Sequence, residues 1–360
     1  MHVMGGGDVG GAKTQIMNTV TGLSRTNDVM LISFRAGPFA DEARERGIDV
    51  RVIERHNPFR AARTMRDLVD EFKPDIIHCH GGRANLMGAM VRRSRRIPII
   101  TTVHSDYRLD YLGSPLKQHT LGTANAIALR FLDFYQPVAD RMARTLIERG
   151  FDPERIVKIY NGMEFNRPEG EFDRAAYLRE TYGAEIEEGD VLCGIAARLT
   201  AVKDIATTVR GFAEALKTAP QLRLFIAGDG EDADMLKKLC DQLGVRERVT
   251  FCGWVSPVMP FFRAMDINLL SSVSETFPYS ILEGVCAGCA TICSDVGGMP
   301  ELIDTGENGY IFPVGDDKKL AEYMARLAND AALRHTFAEA LYAKASRDFS
   351  KDKMCERQEA

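Results

Sequence analysis

Short apolar segments alternate with segments of helix length along this chain, and the alternation runs through the sequence twice. Such alternation favours a parallel sheet covered by helices on both faces. In the first series, strands are predicted at residues 2–4, 29–34, 50–53, 76–80, 99–104, 135–139 and 156–159. The turn signal Asn161-Gly162 precedes the second series. Its predicted strands are at residues 191–196, 222–227, 249–252, 267–270 and 290–294.

The length of 360 residues suits two domains of ordinary size, and no low-complexity linker separates the two series. We therefore predict an α/β protein with two Rossmann-like, doubly wound parallel-sheet domains, at residues 1–162 and 163–346. Ligands bind outside the carboxyl ends of the strands in such sheets. The two domains are accordingly expected to face each other across a ligand-binding cleft.

Two glutamates, Glu275 and Glu283, stand on either side of a turn-like segment. Pro278 suits the start of a helix, which puts Glu283 in the second helical turn and Glu275 just before the helix. Two carboxylates and the free N–H groups of a first turn can bind a polyhydroxylated ligand, because carboxylates accept from hydroxyls. A capped helix with two solvated glutamates is the alternative interpretation.

The residues around this pair narrow the interpretation. The glutamates are followed by the motifs Ala287-Gly288-Cys289, Val296-Gly297-Gly298, Pro300-Glu301 and Asn308-Gly309. The spacing of the glutamates and these motifs resemble the C-terminal half of the retaining glycosyltransferases of family 4, which have the GT-B fold. The resemblance implies that Glu283 holds the ribose of a nucleotide-sugar donor and that Glu275 contacts the donor sugar. It also implies donor contacts from the segment between them, at Phe277, Pro278, Tyr279 and Ser280.

Pro278 departs from the family pattern, which often has glycine at this position. Proline has no N–H group, so one backbone contact to the sugar is expected to be absent or shifted. The departure leaves open a non-catalytic nucleotide-sugar-binding subunit as an alternative. The intact charged residues at Arg198, Lys203, Glu275 and Glu283 argue against that alternative.

A glycine-rich turn, residues 5–11, follows the first predicted strand and has the G-x-G-x-x-G pattern of dinucleotide-binding turns. A nicotinamide site needs an acidic residue at the end of the next strand, and Ser33-Phe34-Arg35 contains none. The family resemblance implies instead that the backbone of this turn, with Gly10 and Gly11, faces the donor diphosphate. A purely structural turn is the alternative.

Arg198 and Lys203 follow the strand that opens the second domain. Two cations at the carboxyl end of a strand can hold a diphosphate and offset the charge that develops as it leaves. The segment is similar to the family's Gly-Arg-Leu…Lys element, with Ala197 where glycine is usual. We predict that both cations bind the donor and act in catalysis. Ordinary surface charge is the alternative.

Two further positions are similar to functional elements of the family. His104 ends a predicted strand and is similar to the histidine near the acceptor and the reacting carbon of the sugar, which predicts a catalytic role. A hydrogen-bonded core histidine is the alternative. The segment Gly253-Trp254-Val255 resembles the base-binding turn, so the backbone of Gly253 and Val255 is expected to contact uracil or guanine.

We predict no metal site. His78 and His80 share one face of a strand, but no third or fourth ligand is evident beside them in the sequence. Three closely spaced cysteines lack a fourth thiolate for an iron–sulfur cluster and suit small buried positions instead. They are Cys286, Cys289 and Cys293.

Charge is distributed unevenly along the chain. Residues 1–162 hold 24 Lys and Arg against 18 Asp and Glu, whereas the remainder holds 22 against 33. The basic half includes Arg92-Arg93-Ser94-Arg95-Arg96 and an apolar segment after His104. Together they are expected to meet an anionic membrane that carries a lipid-linked acceptor. A solvated helix end without a partner is the alternative for the arginine cluster.

The composition predicts a cytoplasmic protein. No apolar run approaches the roughly 20 residues needed to span a bilayer, and no signal-peptide pattern opens the chain. The eight cysteines lie mostly in apolar contexts without a disulfide framework. A peripheral contact of the first domain with the inner face of the membrane is the further expectation.

The resemblance covers nearly the whole chain, and residues 347–360 are similar to the start of the family's last helix, which crosses back to the first domain. It implies a retaining glycosyltransferase that uses a UDP-, GDP- or ADP-sugar and a glycan or lipid-linked acceptor in cell-envelope or exopolysaccharide biosynthesis. No cofactor, metal or nucleic-acid partner is expected. A nucleotide-sugar 2-epimerase of the same fold is the alternative, and the basic first domain argues against it because an epimerase needs no acceptor.

Overall fold

The computed structural model describes residues 1–5, 10–54, 57–92, 96–106, 108 and 118–360. The chain divides into two compact units. The first unit comprises Met1–Met163 and Phe349–Ala360, and the second comprises Glu164–Asp348. The chain therefore leaves the first unit after Met163, where we predicted residue 162, and returns to it at Phe349, where we predicted residue 347.

The sheet of the first unit is parallel throughout, and within the described residues it has six strands in the order β3-β2-β1-β4-β5-β6. Strands β1 to β3 are added toward one edge of the sheet and strands β4 to β6 toward the other, which is the doubly wound arrangement of Rossmann-like folds. The strands are β1 His2–Met4, β2 Met30–Ser33, β3 Asp49–Val52, β4 Ile77–His80, β5 Ile99–Val103 and β6 Phe134–Pro137.

Helices connect these strands, as parallel pairing requires. Asn57 caps one of them with its side chain, which accepts from the backbone N–H groups of Phe59 and Arg60. The helices are α1 Gly11–Leu23, α2 Pro38–Glu45, α3 Pro58–Phe72, α4 Gly82–Arg92, α5 Thr123–Leu129 and α6 Asp140–Glu148, with a π-helical turn at Gln118–Gly122 and a 3₁₀ turn at Pro153–Arg155.

The last helix of the chain, Lys351–Glu359, belongs to the first unit and packs on α1. Its N-cap residue Ser350 accepts from the N–H group of Lys353. The packing is close because Gly22 has no side chain: a Cβ there would lie 2.2 Å from the Cys355 sulfur. The C-terminal segment thus completes the first unit.

The second unit repeats this topology. In residues 164–348, all of which are described, six parallel strands follow the order β12-β11-β10-β7-β8-β9. Read from its other edge, this is the strand order of the first sheet. The strands are β7 Val191–Ala196, β8 Leu222–Ala227, β9 Val249–Gly253, β10 Ile267–Leu270, β11 Ala290–Ser294 and β12 Tyr310–Phe312.

Helices also connect the strands of the second unit. Strand residues are mostly buried, as expected for strands covered on both faces. The helices are α7 Arg174–Tyr182, α8 Ile205–Ala215, α9 Ala233–Gln242, α10 Met259–Arg263, α11 Tyr279–Cys286, α12 Met299–Leu302, α13 Asp317–Asn329 and α14 Ala331–Asp348. No helix of the described residues is both long and apolar enough to cross a membrane.

Two strand predictions differ from the structure. Residues 156–159 run beside β6, but they form only an isolated bridge between Tyr135 and Ile156 and two backbone hydrogen bonds, so they are not a regular strand. Conversely, Tyr310–Phe312 is a strand that the sequence reading missed. It has three residues, which is too short for an alternating or apolar pattern to be recognised.

The strand order fixes where each unit can bind a ligand. In the first unit the chain reverses direction across the sheet between β1 and β4, and in the second between β7 and β10. Ligands of open α/β sheets bind outside the carboxyl ends of the strands at such switch points. The segments that follow β7 and β10 are therefore the first place to look for a site in the second unit.

Candidate functional site

The segment from Ser271 to Pro278, called here the glutamate loop, joins the carboxyl end of β10 to helix α11. Pro278 is the N-cap residue of the helix, with φ −73° and ψ 131°. Glu283 is therefore the fifth helical residue, in the second turn, and Glu275 lies in the loop before the helix. The predicted helix start is confirmed.

Side-chain and backbone hydrogen bonds fix the glutamate loop on the side of β7. The buried hydroxyl of Ser271 donates to the carbonyl of Asp204 over 2.8 Å and receives a hydrogen bond from the Thr208 hydroxyl, also over 2.8 Å. The N–H group of Val273 donates to the carbonyl of Val202 over 2.8 Å. The loop is thus held beside the segment that carries Lys203.

The glutamate loop is fixed on its other side by the segment after β11. The N–H group of Gly298 donates to the carbonyl of Thr276 over 2.7 Å. Gly297 has φ 52°, and a Cβ at this position would lie 2.2 Å from the same carbonyl oxygen. Only glycine tolerates both the left-handed backbone and this close approach. The Val296-Gly297-Gly298 motif therefore acts by supporting the loop.

Lys203 and Glu275 form an ion pair within the second unit. The same carboxylate oxygen of Glu275 accepts from the Ser272 hydroxyl over 2.8 Å. Both charged side chains are mostly covered, with 21% of the Lys203 side chain and 11% of the Glu275 side chain exposed. A cation and a carboxylate therefore meet at the carboxyl ends of the two strands that form the switch point.

Arg198 lies two residues beyond β7 and is exposed. Its neighbours hold the backbone in place, since Ala197 and Leu199 donate to the carbonyls of Ala227 and Asp229, both over 3.0 Å. No described residue forms a hydrogen bond or an ion pair with its guanidinium group. The site thus holds one paired cation, Lys203, and one exposed cation whose donors are not used by the protein residues described.

Glu283 is half-buried on α11. Burial raises the pKa of its carboxyl group from 4.5 to about 7. No described residue forms a hydrogen bond or an ion pair with this carboxyl group that would lower its pKa again. A carboxyl group of this kind exists in both forms near neutral pH, and it can donate a hydrogen bond as well as accept one.

Between the two glutamates, the larger side chains are buried, so a ligand can reach mainly the backbone. The side chains of Phe277 and Tyr279 are buried, with 1% and 4% of the residues exposed. Ser280 and Pro278 are half-buried. Any ligand contact of Phe277 and Tyr279 must therefore come from main-chain groups, and Pro278 has no N–H group to contribute.

The turn predicted to bind the base follows β9. Gly253 ends this strand, and its carbonyl accepts from the N–H group of Gly228 over 2.7 Å. Trp254 beside it is 59% exposed, and Val255 is half-buried. The structure therefore presents this turn at the carboxyl end of the sheet and ties it to the loop after β8.

The glycine-rich turn of the first unit is described only in part. Gly10 is the N-cap residue of α1, and its carbonyl accepts from the N–H group of Lys13 over 3.0 Å. Gly10 and Gly11 are both exposed. Residues 6–9 lie outside the described part of the chain. The turn thus precedes a helix and follows β1, as its pattern predicts.

His104 directly follows β5 in the first unit and is half-buried. Its Nε2 atom lies 3.3 Å from Nδ1 of His80, at the end of β4. Burial lowers the pKa of His104 from 6.5 to about 4, so this imidazole is neutral at physiological pH. Two residues further on, Asp106 forms a bidentate ion pair with Arg149 over 2.7 and 2.6 Å, which ties Asp106 to the C-terminal end of α6.

The three cysteines behave as small buried residues. The thiols of Cys286 and Cys289 donate to backbone carbonyls, at 3.2 Å to Asn166 and 3.3 Å to Phe262. Cys293 is also buried.

His78 and His80 have a neighbour that was not predicted from the sequence: His2 pairs with His78 across adjacent strands and lies close to His80. Only the strand order brings this residue there.

Comparisons with known proteins bear on both units. The family profile "Glycosyl transferases group 1" matches residues 183–344, and the profile "Glycosyltransferase Family 4" matches residues 9–167. The two matches do not overlap, and together they cover residues 9–344 except for 168–182. This chain belongs to the group 1 glycosyltransferases. It is a sugar-transferring enzyme with the GT-B fold, and the predicted family, fold class and enzyme class are confirmed.

Curated relatives of this glycosyltransferase include proteins with different acceptors. It is 29% identical to the uncharacterized glycosyltransferase MJ1607 of Methanocaldococcus jannaschii, over 73% of this chain and 68% of that one. It is 26% identical to the N-acetyl-alpha-D-glucosaminyl L-malate synthase of Bacillus anthracis, over 77% and 71%. It is 25% identical to the alpha-monoglucosyldiacylglycerol synthase of Streptococcus pneumoniae, over 83% and 69%.

Solved structures share the fold of this glycosyltransferase at low identity. The Anabaena protein Alr3699/HepE, solved with UDP-glucose, has a TM-score of 0.84 and 21% identity, with 99% of this chain and 98% of that one covered. Sucrose-phosphate synthase of Thermosynechococcus elongatus has a TM-score of 0.80 and 16% identity, with 99% and 96% covered.

The structure adds residues of the glycosyltransferase that sequence reasoning did not single out. Ser272 binds Glu275, and Ser271 with Thr208 fixes the loop beside Lys203. The two serines directly after an apolar strand are a signal for a polar loop at its carboxyl end. Thr208 has no such signal, because its position on α8 matters only once that helix packs beside the loop.

Proposed function

We propose that this glycosyltransferase is a retaining enzyme that transfers a sugar from a nucleoside diphosphate sugar to a glycan or lipid-linked acceptor in cell-envelope or exopolysaccharide biosynthesis. The observation that carries this proposal is the Lys203–Glu275 ion pair at the switch point of the second sheet. A diphosphate needs a cation and a sugar needs hydroxyl acceptors, and the pair supplies one of each. UDP-glucose is the ligand in the Anabaena structure, so UDP-sugars are the first donors to test.

In this proposal the two cations share the diphosphate. Arg198 is exposed and suits forked contacts with phosphate oxygens. Lys203 leaves Glu275 for the diphosphate when the donor binds, because two phosphate charges attract it more strongly than one carboxylate. Glu275 is then released to accept from sugar hydroxyls. The cations do the work that a metal ion does in other transferases, which is why we propose that no metal ion is needed.

Glu283 is the proposed contact to the donor ribose. Its half-buried carboxyl group, with a pKa of about 7, has no hydrogen-bond partner among the described residues. A buried carboxyl group without a partner is costly for the protein. Two adjacent hydroxyls of a ribose would satisfy both oxygens, whichever form the carboxyl group has. The base is proposed to contact the backbone of Gly253 and Val255.

The proposed chemistry is a front-face displacement. The bond between the anomeric carbon and the leaving phosphate oxygen breaks, and the acceptor oxygen bonds to that carbon from the same face. The acceptor proton moves to the leaving phosphate, whose growing negative charge Arg198 and Lys203 offset. No side chain acts as a nucleophile. Glu275 and His104 are proposed to orient the sugar and the acceptor.

We propose that the first unit meets a membrane that carries the acceptor. Its described residues include four exposed apolar residues between 121 and 134, called here the apolar patch because they are close in sequence: Leu121, Ile127, Phe131 and Phe134 are 52%, 56%, 57% and 39% exposed. Exposed apolar residues in such a cluster mark interaction surfaces. The lipid product named for the Streptococcus pneumoniae relative supports a lipid acceptor.

The arginine cluster contributes less to this surface than its sequence suggests. Arg92 forms an ion pair with Asp133, over 2.9 Å from Nε, so its charge is already compensated. Arg96 is exposed, and residues 93–95 lie outside the described part of the chain. Most of the apolar segment directly after His104, residues 107 and 109–117, lies outside it as well. The described apolar patch is therefore the main support for membrane contact.

Two experiments test these proposals. Incubation with UDP-, GDP- and ADP-sugars should give donor turnover with one of them, and NMR of the product should show the anomeric configuration of the donor. Inversion of that configuration would refute the retaining mechanism.

The membrane proposal is tested by co-sedimentation with vesicles. The double variant Ile127→Ser/Phe131→Ser should bind anionic vesicles less well than the parent. Leu243→Ser, a matched change at an apolar residue of the second unit that is 40% exposed, should bind like the parent. If the double variant binds the vesicles as well as the parent and Leu243→Ser do, the acceptor is soluble.

A further inference from the structure

Four histidines of the first unit lie on or directly after three neighbouring strands of its sheet, β1, β4 and β5. His2 is on β1, His78 and His80 are on β4, and His104 follows β5. In the parallel register His2 lies beside His78. Residues 78 and 80 point to the same face of the sheet because side chains alternate along a strand. The strand order 1-4-5 therefore brings together histidines that are far apart in the sequence.

Three of these rings form a continuous series, called here the histidine chain: His2, His80 and His104. Nδ1 of His2 lies 3.2 Å from Nε2 of His80. Nδ1 of His80 lies 3.3 Å from Nε2 of His104. Both distances are those of long nitrogen–nitrogen hydrogen bonds. His80 uses both of its nitrogens, one toward each neighbour, and is the central member.

His78 supports the ring of His80. The two rings are stacked, with centroids 4.4 Å apart and planes inclined by 22°. Nε2 of His78 is 2.7 Å from the hydroxyl of Thr102, which fixes the orientation of that ring. His80 is therefore held by a neighbouring ring as well as by its own hydrogen bonds.

The histidine chain is uncharged. His2, His78 and His80 are 5%, 3% and 2% exposed, and no carboxylate of a described residue forms an ion pair with them. Burial holds the pKa of His2 and His80 well below the ordinary value. Each neutral ring carries one N–H group and one lone pair, so each hydrogen bond needs a donor ring and an acceptor ring.

We propose that His80, supported by His2, is a positioning residue that fixes the ring orientation and the tautomer of His104. If Nδ1 of His80 carries the proton, it donates to Nε2 of His104, and the proton of His104 is then on Nδ1. If Nε2 of His80 carries the proton, both assignments reverse. This inference depends on the proposed function in one respect: the proposed function is what gives His104 a role in orienting the substrates.

A metal ion bound by His2, His78 and His80 is the competing use of these rings. Their ligand atoms lie within 4.8 Å of one another, whereas two nitrogens bound to one tetrahedral zinc ion at 2.0–2.1 Å are about 3.4 Å apart. A divalent ion would also bring two charges into a buried region where no described carboxylate pairs with these histidines. The spacing allows either use, and the lack of a described carboxylate partner for these three rings favours the hydrogen-bonded chain.

Two substitutions of His80 separate its two contacts. An asparagine amide replaces Nδ1 and keeps the contact with His104, while a glutamine amide replaces Nε2 and keeps the contact with His2. We expect the kcat of the His80→Asn variant to be about 5- to 10-fold higher than that of the His80→Gln variant, which is the effect of one hydrogen bond. A purely structural role for His80 would affect the two variants alike. Equal kcat values would therefore refute a catalytic role for the contact between His80 and His104.

The tautomer of His104 is measured independently of activity, from the ¹⁵N shifts of its ring nitrogens in histidine-labelled protein. One tautomer should dominate in the parent and in His80→Asn, and a mixture should appear in His80→Gln. A tautomer change without a change in kcat would support the histidine chain but refute the proposed role of His104. An unchanged tautomer in both variants, or a stoichiometric metal ion in the purified parent, would overturn the proposal.

A second substitution covers the case in which His80→Gln does not fold. His2→Leu leaves the contact between His80 and His104 in place but removes the support behind His80. We expect a broader tautomer distribution at His104 in this variant, with a smaller loss of kcat than in a variant that breaks the contact itself. A single unchanged tautomer would refute the part assigned to His2.

Discussion

The two units have the same strand order but opposite chemistry at the carboxyl ends of their strands. In the second unit the segments after β7 and β10 carry Arg198, Lys203 and Glu275, two cations and a carboxylate. In the first unit the ends of β4 and β5 carry His80 and His104, which burial keeps neutral. One topology therefore supports a cation–carboxylate pair in one unit and neutral histidines in the other.

The difference follows from how each set of residues is surrounded. Lys203 and Glu275 lie against each other as an ion pair, and Ser272 adds a hydrogen bond to the carboxylate. For His80 and His104 desolvation by burial is the main influence, and it lowers the pKa of both rings. In the proposed function the charged diphosphate of the donor binds to the second unit, and the neutral acceptor hydroxyl binds to the first.

The largest effect is expected from the carboxylate of the charged site. Glu275→Gln removes the negative charge proposed to stabilise the reacting sugar, and a contact that strengthens in the transition state appears in kcat. We expect kcat to fall by about 10²- to 10³-fold with a small change in KM. Steady-state kinetics checks this. A rise in KM at constant kcat would mean that Glu275, not Glu283, has the ground-state binding role.

The second effect is on the pH dependence of stability. Because burial raises the pKa of Glu283 from 4.5 to about 7, the folded state binds more protons than the unfolded state between these values. Stability from this group is present below pH 4.5 and is lost as pH rises through 7, by at most about 3 kcal/mol.

Glu283→Gln should therefore remove this dependence, and the variant should gain stability relative to the parent at pH 8 but not at pH 4.5. Urea unfolding of both proteins across this range gives the difference. Glu180→Gln, an exposed site on α7, is the control. A constant difference between parent and Glu283→Gln at all pH values would contradict the raised pKa.

A smaller effect is expected at the exposed cation of the second unit. Arg198→Ala should weaken UDP binding by roughly 10-fold, the low end for a charge-assisted contact. Salt should reduce the difference, since the guanidinium group is exposed and screened. Calorimetric titration at two salt concentrations measures both effects. Lys238→Ala, which removes an exposed cation from α9, should bind UDP like the parent.

The smallest effect is expected for the histidines of the first unit. With a pKa of about 4, His104 should not change its charge between pH 5.5 and 8. NMR titration of its ring protons should show flat shifts in the folded protein and an ordinary titration in the unfolded one. A midpoint near 6.5 in the folded protein would place a charge in the first unit and remove the contrast between the units.

Much of the fold was predictable because strand–helix alternation and turn residues are local signals. The start of α11 at Pro278 and the strand before Arg198 were read from residues a few positions apart. The family could also be predicted, since the paired glutamates and the motifs after them are short and fixed in spacing.

The remaining features depend on tertiary structure and have no local signal. The ion pair between Lys203 and Glu275 joins residues on loops that meet only because β7 and β10 are neighbours. His2 was not considered beside His80 for the same reason. The pKa values of Glu283 and His104 depend on burial, which the sequence around either residue does not reveal.

The central claim is that Lys203 exchanges Glu275 for the donor diphosphate, and calorimetric titration with UDP tests it most directly. Lys203→Ala should weaken UDP binding by about 10- to 150-fold, because a charge-assisted contact is lost. Glu275→Gln should bind UDP as tightly as the parent or more tightly, because Lys203 no longer has to leave a carboxylate. Equal weakening in both variants, or an unchanged affinity in Lys203→Ala, would contradict the account.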